Sequence, residues 1–320
     1  MKVTSPAIVV GTLLASSLCL PYKSLASSLT FFGHSSFMVV TPSGTRILID
    51  PFGNSLWSDW FERRFPKVKA DLLLMSHRHF DHSAESRVAG RPRIIEAAST
   101  YKGQDFEIRA IQGLHARPDV YGSANLIFVI QLGTMRLCHW GDNSSVVSAD
   151  LKKAIGDVDV LMVPVDDSEH LLSLGEVSRL IATISPKVVI PMHYFSPGLS
   201  SACSPLRGID KWLQRRNRVR RLRGSHIALD ARAFPAETET WVFQQPSLTR
   251  HQTSSPSVLP CLLRLRGVWL LFGLYLIGAI VIGMLPGSWL PRPPGAPHAL
   301  AHIFWPIRVL VGLYLLFKGP

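Results

Sequence analysis

The sequence predicts an α/β domain, and three observations lead there. Short apolar runs separated by turn residues recur between Ser27 and Gln245. One stretch, "SLGEVSRLIATIS", departs from that pattern with helical spacing, and several apolar runs end in a histidine or an aspartate. Strands interleaved with amphipathic stretches build layered α/β domains, and rigid strand ends are where such a domain can hold a site.

Taken in order, "LTFFGHSSFMVVTPSGTRILIDPF" reads as strand, strand, turn at "TPSG", strand. Leu72-Leu73-Leu74-Met75 is a short run flanked by charge, too short for a helix, and reads as a buried strand. "FEIRAIQGLH", "NLIFVIQLGTMRLCHWGD" and "DVLMVPV" continue the strands. In the helical stretch Leu174, Val177, Leu180, Ile181 and Ile184 fall on one face. "PKVVIPMHY" follows as a strand ending in a histidine, and no internal repeat is visible.

The run from Leu72 opens directly into His77, His79, Asp81 and His82. Imidazoles crowded on one strand end repel one another as cations, and a divalent metal removes that conflict because neutral imidazole and carboxylate are good zinc ligands. At an extended strand end His77 and His79 point to the same side. As the chain turns, Asp81 and His82 can face a second metal position. The alternative is a surface loop rich in histidine. Other runs also end in potential ligands: "IRAIQGLH" at His115, "MRLCHWGD" at Asp142 and "KVVIPMH" at His193. No Ser-His-Asp triad or cysteine nucleophile accompanies them.

The chain has 320 residues, of which 47% are hydrophobic, and a formal net charge of +12. Much of the basic excess is local: Lys211, Arg215, Arg216, Arg218, Arg220, Arg221 and Arg223 have no acid among them. They read as a solvated helix end, "IDKWLQRRN", followed by an edge strand, "RVRRLRGSHIALD". A phosphate or nucleic-acid patch is the alternative, but no nucleic-acid motif accompanies it; attraction to anionic lipid headgroups stays open. Cys19, Cys138, Cys203 and Cys261 form no C-x-x-C pair, so the spacing offers neither a disulfide framework nor a thiolate zinc site.

The ends differ from the middle. Residues 1–26 read as a secretory signal, with Lys2, an apolar stretch, and Ser24 and Ala26 at small-residue cleavage positions. Residues 27–246 form the folded domain and residues 247–266 a polar, proline-containing linker. Residues 267–320 form a hydrophobic tail: Gly267 to Pro291 is uncharged and long enough to cross a bilayer, with Trp269, Tyr275 and Trp289 suited to its interfaces. A second apolar segment, Ala299 to Phe317, carries Arg308 near its centre, a cost of about 2.5–3.5 kcal/mol for insertion. One or two C-terminal transmembrane helices are expected. The signal places the domain outside the cytoplasm, whereas Arg264 and Arg266 before the tail favour the cytoplasmic face.

"FFGHSSFMV", "ILIDPF", "SHRHFDH", "LCHWGDN" and "PKVVIPMHY" occur in an order that resembles the metallo-β-lactamase superfamily, over nearly all of Ser27–Gln245. Within it the chain looks like the metal-dependent hydrolases related to ascorbate-phosphate lactonase and N-acyl-phosphatidylethanolamine phospholipase D. The resemblance implies an αββα metallo-β-lactamase-type sandwich with two divalent metal ions at one edge. His77, His79 and His115 would hold one metal; Asp81, His82 and His193 the other; Asp142 would bridge. Asp50 would orient a ligand histidine, His34 and Ser35 would lie near the pocket mouth, and His139 would be a packed histidine. His170 defaults to a structural or surface role. Zinc is the default metal, with Mn2+ or Fe2+ as alternatives.

Two metals sharing a hydroxide imply hydrolysis of an ester-like bond: lactone, amide or phosphodiester. Asp81 and Asp142 are the candidate catalytic residues. Trp57, Trp60, Phe61 and Phe65 would form an apolar rim for a small-molecule or lipid-like substrate, or else pack as a helix on the sheet. Where many relatives carry a glycine pair, this chain has Asp166-Asp167 followed by Ser168 and Glu169. That departure puts any relative's substrate in doubt here. The competing readings are a nuclease of the same fold and a non-catalytic metal-binding sensor at the membrane. Oligomeric state is not legible.

Overall fold

The computed structural model describes residues 26–55, 58–118, 124–166, 170–201 and 203–247. The expected signal peptide, linker and hydrophobic tail lie outside the described residues, as do Trp57 and residues 167–169. Among the described residues no helix is long and apolar enough to cross a membrane.

The chain opens with β1 (Ser28–Gly33), β2 (Ser36–Val40) and β3 (Arg46–Ile49), the two hairpins expected from the alternating apolar pattern. Then follow β4 (Val68–Lys69), β5 (Leu72–Leu74), β6 (Val88–Ala89), β7 (Arg93–Ile95), β8 (Ser99–Lys102) and β9 (Phe106–Leu114). β10 (Ala124–Leu132), β11 (Met135–His139), β12 (Val160–Pro164) and β13 (Val188–Met192) build the centre of the second half. β14 (Val219–Arg221), β15 (His226–Ala228) and β16 (Glu239–Val242) complete the strands. One six-stranded sheet runs β15-β1-β2-β3-β5-β7 and one eight-stranded sheet runs β14-β16-β13-β12-β11-β10-β9-β8, with β4 and β6 paired separately.

Strand direction decides where the site can be. β1 is antiparallel to β2 and β2 to β3, while β3 and β5 are parallel, so β1, β3 and β5 run the same way. In the second sheet β9 and β11 both run antiparallel to β10, and β11, β12 and β13 are parallel. Within each sheet the carboxyl ends therefore share one edge, the usual location of ligands in α/β sheets. Two backbone hydrogen bonds join the sheets at that edge: Leu126 N donates to Ser76 O (2.9 Å) and His193 N to His34 O (3.0 Å).

The period-two pattern of β10 fills two cores at once. Leu126, Phe128, Ile130 and Leu132 pack between the sheets, against residues such as Phe31, Phe37 and Ile49. Ile127 and Val129 face the other way, with Ile155, Leu180 and Trp212 of the helical layer. That layer contains α1 (Ala149–Ile155), α2 (Leu174–Ile184) and α3 (Asp210–Leu213). The face expected for α2 is the one buried, Leu174, Val177, Leu180, Ile181 and Ile184. Its start is fixed by a capping box, in which Ser173 Oγ accepts from Glu176 N and the Glu176 carboxylate accepts from Ser173 N.

The outer face of the first sheet is covered differently. Met38, Leu48, Leu73 and Met75 pack against Phe52, Phe61, Phe65 and Leu199, which lie outside strands and helices. Phe61 and Phe65 are thus core residues and not a rim, because an irregular covering segment has to supply large side chains where a helix would supply a whole face. Only Trp60 of the expected rim stays half-buried. Cys203 is disulfide-bonded, although the cysteine spacing offered no framework, since pairing depends on spatial approach and not on sequence interval. Cys138 is free and buried.

Truncating Leu180 to alanine is expected to lower unfolding free energy by about 2–5 kcal/mol, and Ser173→Ala by about 1 kcal/mol. Denaturant titration followed by circular dichroism measures both.

Candidate metal centre

Each site residue follows a strand that runs to the shared edge. β1 delivers His34, β3 Asp50, β5 the His77–His82 segment, β9 His115, β11 Asp142 and β13 His193. Past β5 the chain curls so that His82 N and Ser83 Oγ both donate to His79 O, at 3.0 and 2.7 Å. That turn brings Asp81 and His82 beneath His77.

The donors converge on Asp142 Oδ2. It lies 3.3 Å from His82 Nε2, 3.4 Å from His193 Nε2, 3.7 Å from His77 Nε2 and 4.0 Å from His115 Nε2. Two other groupings flank it. His77, His79 and His115 offer donor atoms close enough to share one ion, and so do His34, Asp81, His82 and His193. Asp81 Oδ2 is 3.4 Å from His82 Nε2 and 3.5 Å from His193 Nε2. The structure therefore brings together every residue expected as a ligand.

Asp50 is fully buried behind this centre and accepts from three sides. Ser76 N donates to Oδ1 (2.7 Å), Ser76 Oγ to Oδ2 (2.6 Å) and His82 Nδ1 to Oδ2 (2.9 Å). The contact fixes the proton of His82 on Nδ1 and aims Nε2 at the two site aspartates. Ser76 Oγ is also 3.0 Å from His77 Nδ1, so the same carboxylate steadies a histidine of each grouping.

Backbone strain marks the same residues. Among the described residues the non-glycine positive φ angles belong to His34 (54°), Asp50 (44°) and His193 (56°), and to Ser185 (56°), a helix C-cap. Left-handed conformations cost a non-glycine residue energy, though aspartate and histidine tolerate them better than most, and such positions collect where geometry must be exact. Gly33, beside His34, has φ 102°, and a Cβ there would lie 2.6 Å from Leu199 Cδ1. Glycine is therefore required at the tip that carries His34 inward.

Charge inside the centre is redistributed by burial and proximity. Burial alone would raise Asp81 and Asp142, yet the neighbouring imidazoles hold both well below the usual carboxylate range. Conversely, burial opposes a charge on His82 and His193, but Asp142 and Asp81 raise both above the ordinary histidine value. Burial, reinforced by His82, pushes His77 down to about 3. Burial also brings His115 to about 4 and, reinforced by His193, His34 to about 4.

The donor set fits divalent metal. His82 Nε2, His193 Nε2 and Asp142 Oδ1 are buried without a hydrogen bond inside the protein, which is costly for polar atoms that no metal holds. Imidazole and carboxylate are ordinary ligands for zinc and for neighbouring metals. His115 fits with one qualification of geometry: its Nδ1 accepts from Arg117 N at 3.0 Å, which leaves the proton on Nε2. Ligation through Nε2 would require that proton to leave it and the Arg117 contact to be given up.

Some residues stand elsewhere than expected. His34 is buried at 3% exposure, with Nε2 3.0 Å from Asp81 Oδ2, and belongs to the centre and not to its mouth. The glycine before it was the available signal. His139 is packed as expected: its Nε2 donates to Ser35 O (2.9 Å), and it joins no metal-capable group. His170, expected in a structural or surface role, is half-buried, with its ring stacked 6.0 Å from that of His193 and 5.4 Å from Trp60. Asn125 and Asn143 were missed. Asn143 Nδ2 donates to Asn125 Oδ1 (2.9 Å), and Asn125 Nδ2 lies 3.2 Å from His77 Nδ1. Asp166 is buried at 1% exposure and belongs to none of the metal-capable groups.

Comparison with known proteins agrees with this architecture. The Beta-lactamase superfamily domain matches residues 28–193, just over half of the chain. The chain belongs to the metallo-β-lactamase superfamily. A UPF0173 metal-dependent hydrolase of Salinibacter ruber is 30% identical, covering 52% of this chain and 84% of that protein. A UPF0173 protein of Pyrococcus abyssi is 29% identical over 59% of this chain and 91% of its own length. A crystal structure from Thermotoga maritima, described as a zinc-dependent hydrolase of the superfamily, superposes with a TM-score of 0.56 at 26% identity. It covers 69% of this chain and all of that one. This superfamily member is a metal-dependent hydrolase, as its relatives are described.

Ligation needs neutral imidazole, whereas Asp142 and Asp81 raise His82 and His193 above the ordinary histidine value without metal, so metal binding displaces protons. Calorimetric titration of zinc into the metal-free protein at about pH 7, in buffers of different ionisation enthalpy, is expected to show proton release that His82→Asn reduces. Without metal, the stability these two groups contribute is fully present below about pH 6.5 and is lost as pH rises through their raised values. Asp50→Asn is expected to weaken metal binding about 10–100-fold in a chelator competition.

Proposed function

We propose that the domain is a binuclear hydrolase of ester-like bonds, with Asp142 bridging two divalent ions. One observation carries this reading: Asp142 Oδ2 stands within 4.0 Å of imidazoles from both flanking groupings. His77, His79 and His115 would hold one ion, and Asp81, His82 and His193 the other. Zinc is the first candidate, with Mn2+ or Fe2+ next. When bound, such a pair would acidify water and polarise a carbonyl or phosphoryl oxygen, the chemistry that cleavage of a lactone, amide or phosphodiester needs.

The chain's own residues act by positioning. Asp50 holds the Nδ1 proton of His82, and His34 Nε2 meets Asp81 Oδ2, so Asp81 is committed to its neighbours and is a poor free base. The side of the centre near His193 is walled by aromatic rings: Trp60 lies 5.3 Å from Phe80 and 5.4 Å from His170. That wall supports a small-molecule or lipid-like substrate with an apolar part. We read the domain as tethered by its C-terminal tail and exported, with the cytoplasmic face of the membrane as the alternative.

The test is metal content of the purified protein beside His79→Ala and Asp142→Ala, with each assayed on chromogenic phosphodiester, lactone and ester substrates. Near two metals per chain, with activity lost in both variants, is the expected result. Full metal with no turnover on any class would favour a non-catalytic sensor, and failure to bind transition metal would end the metal reading altogether.

A further inference from the structure

β14, the edge strand of the larger sheet, is exposed along its length and carries Arg220 and Arg221. Its outer side meets α3, where Asp210, Leu213, Gln214, Val219 and Arg221 line one concavity. Some of the local arginines are already engaged: Arg218 pairs with Glu237 at 2.7 Å, Arg216 lies over the Trp212 ring, and Arg220 over Trp241. Arg215, Arg221 and Arg223 are exposed, and no carboxylate partner is recorded for them among the described residues. Val219 beside them is 38% exposed, one of few large apolar side chains so open. The result is an arginine ridge with an apolar residue at its foot.

The place where the described chain ends gives the ridge a direction. β14 pairs in parallel with β16, the last strand, with Arg221 opposite Val242. Gln244 N then donates to Gly224 O (3.1 Å), next to Arg223. The last described residue is 247, three residues past this contact. The sequence beyond contains the uncharged stretch from Gly267 to Pro291.

We propose that the Arg215–Arg221–Arg223 ridge docks on anionic lipid headgroups, laying this sheet edge against the membrane that the tail enters. Charge complementarity supplies the attraction, and the guanidinium fork suits phosphate oxygens. Val219 suits the interfacial level. The proposal rests on the reading of the tail as membrane-inserted. A docked edge would give the domain a fixed side toward the bilayer, where a tether alone would leave it free to turn.

The experiment uses the full chain mixed with neutral phosphatidylcholine vesicles or with vesicles also containing phosphatidylglycerol, followed by flotation and hydrogen–deuterium exchange. Flotation with neutral vesicles reports the tail alone. In anionic vesicles, exchange across residues 214–223 is expected to slow several-fold relative to neutral vesicles and to recover at high salt. The combined variant Arg215→Gln, Arg221→Gln, Arg223→Gln is expected to lose that slowing. A control of equal charge change, Lys67→Gln, Arg91→Gln, Lys153→Gln, is expected to keep it. Flotation without any lipid-dependent change at the ridge would overturn the docking and leave the tether standing. No flotation with neutral vesicles would refute the tether, and slowing confined to anionic vesicles would then still support the ridge. Equal loss in the control would reduce the effect to bulk charge. Slowing produced by a DNA duplex and not by anionic vesicles would reassign the ridge to nucleic acid.

Discussion

Two carboxylates, Asp81 and Asp142, are buried at 4% and 2% exposure, side by side among imidazoles. Ionised groups taken out of water at that depth are tolerated only when opposite charge is packed against them. In the protein alone His82 and His193 are shifted toward their charged forms beside these carboxylates, and a divalent ion held by the same imidazoles would supply it more fully. Most of the edge exists to keep this exchange possible. Asp50 fixes a tautomer, Ser76 relays the same carboxylate to His77, and His34 leans on Asp81.

The interior of the fold and the gathering of histidines and aspartates at one edge were largely legible in the sequence. Apolar runs bounded by turn residues located the central strands, helical spacing located the buried face of α2, and residues at strand ends located the centre. These signals are local, and each survives being read alone. His34 shows the limit. Its place in the centre depends on a left-handed turn at Gly33 and on contact with β13, neither of which a one-dimensional pattern reports. Phe61 and Phe65 show another: apolar residues in an irregular segment look the same whether they line a pocket or cover a sheet. Asn125 and Asn143 sit in unremarkable contexts and acquire meaning only through their contact with each other and with His77.

The two faces of the molecule differ in how they are closed. Behind the larger sheet, α2, with its capped start, presents a continuous apolar stripe, joined by single anchors such as Ile155 of α1 and Trp212 of α3. Over the smaller sheet, irregular chain carrying Phe52, Phe61 and Phe65 does the same work. That covering segment also places Trp60 beside the centre, so one stretch of chain both covers the sheet and walls the centre. Variation in its length and composition can reshape that wall while leaving the buried histidines and aspartates of the centre in place.

The seam between the sheets is held at the site edge by His193 N to His34 O and by Leu126 N to Ser76 O. Its partners lie far apart along the chain, so closing it requires nearly the whole domain to be in place, and such long-range closure is slow. Bound metal would act there as a clasp, joining donors of both sheets as a cross-link does. In this molecule the reactive centre would be the last part to assemble during synthesis, and its loss the earliest sign of the sheets parting.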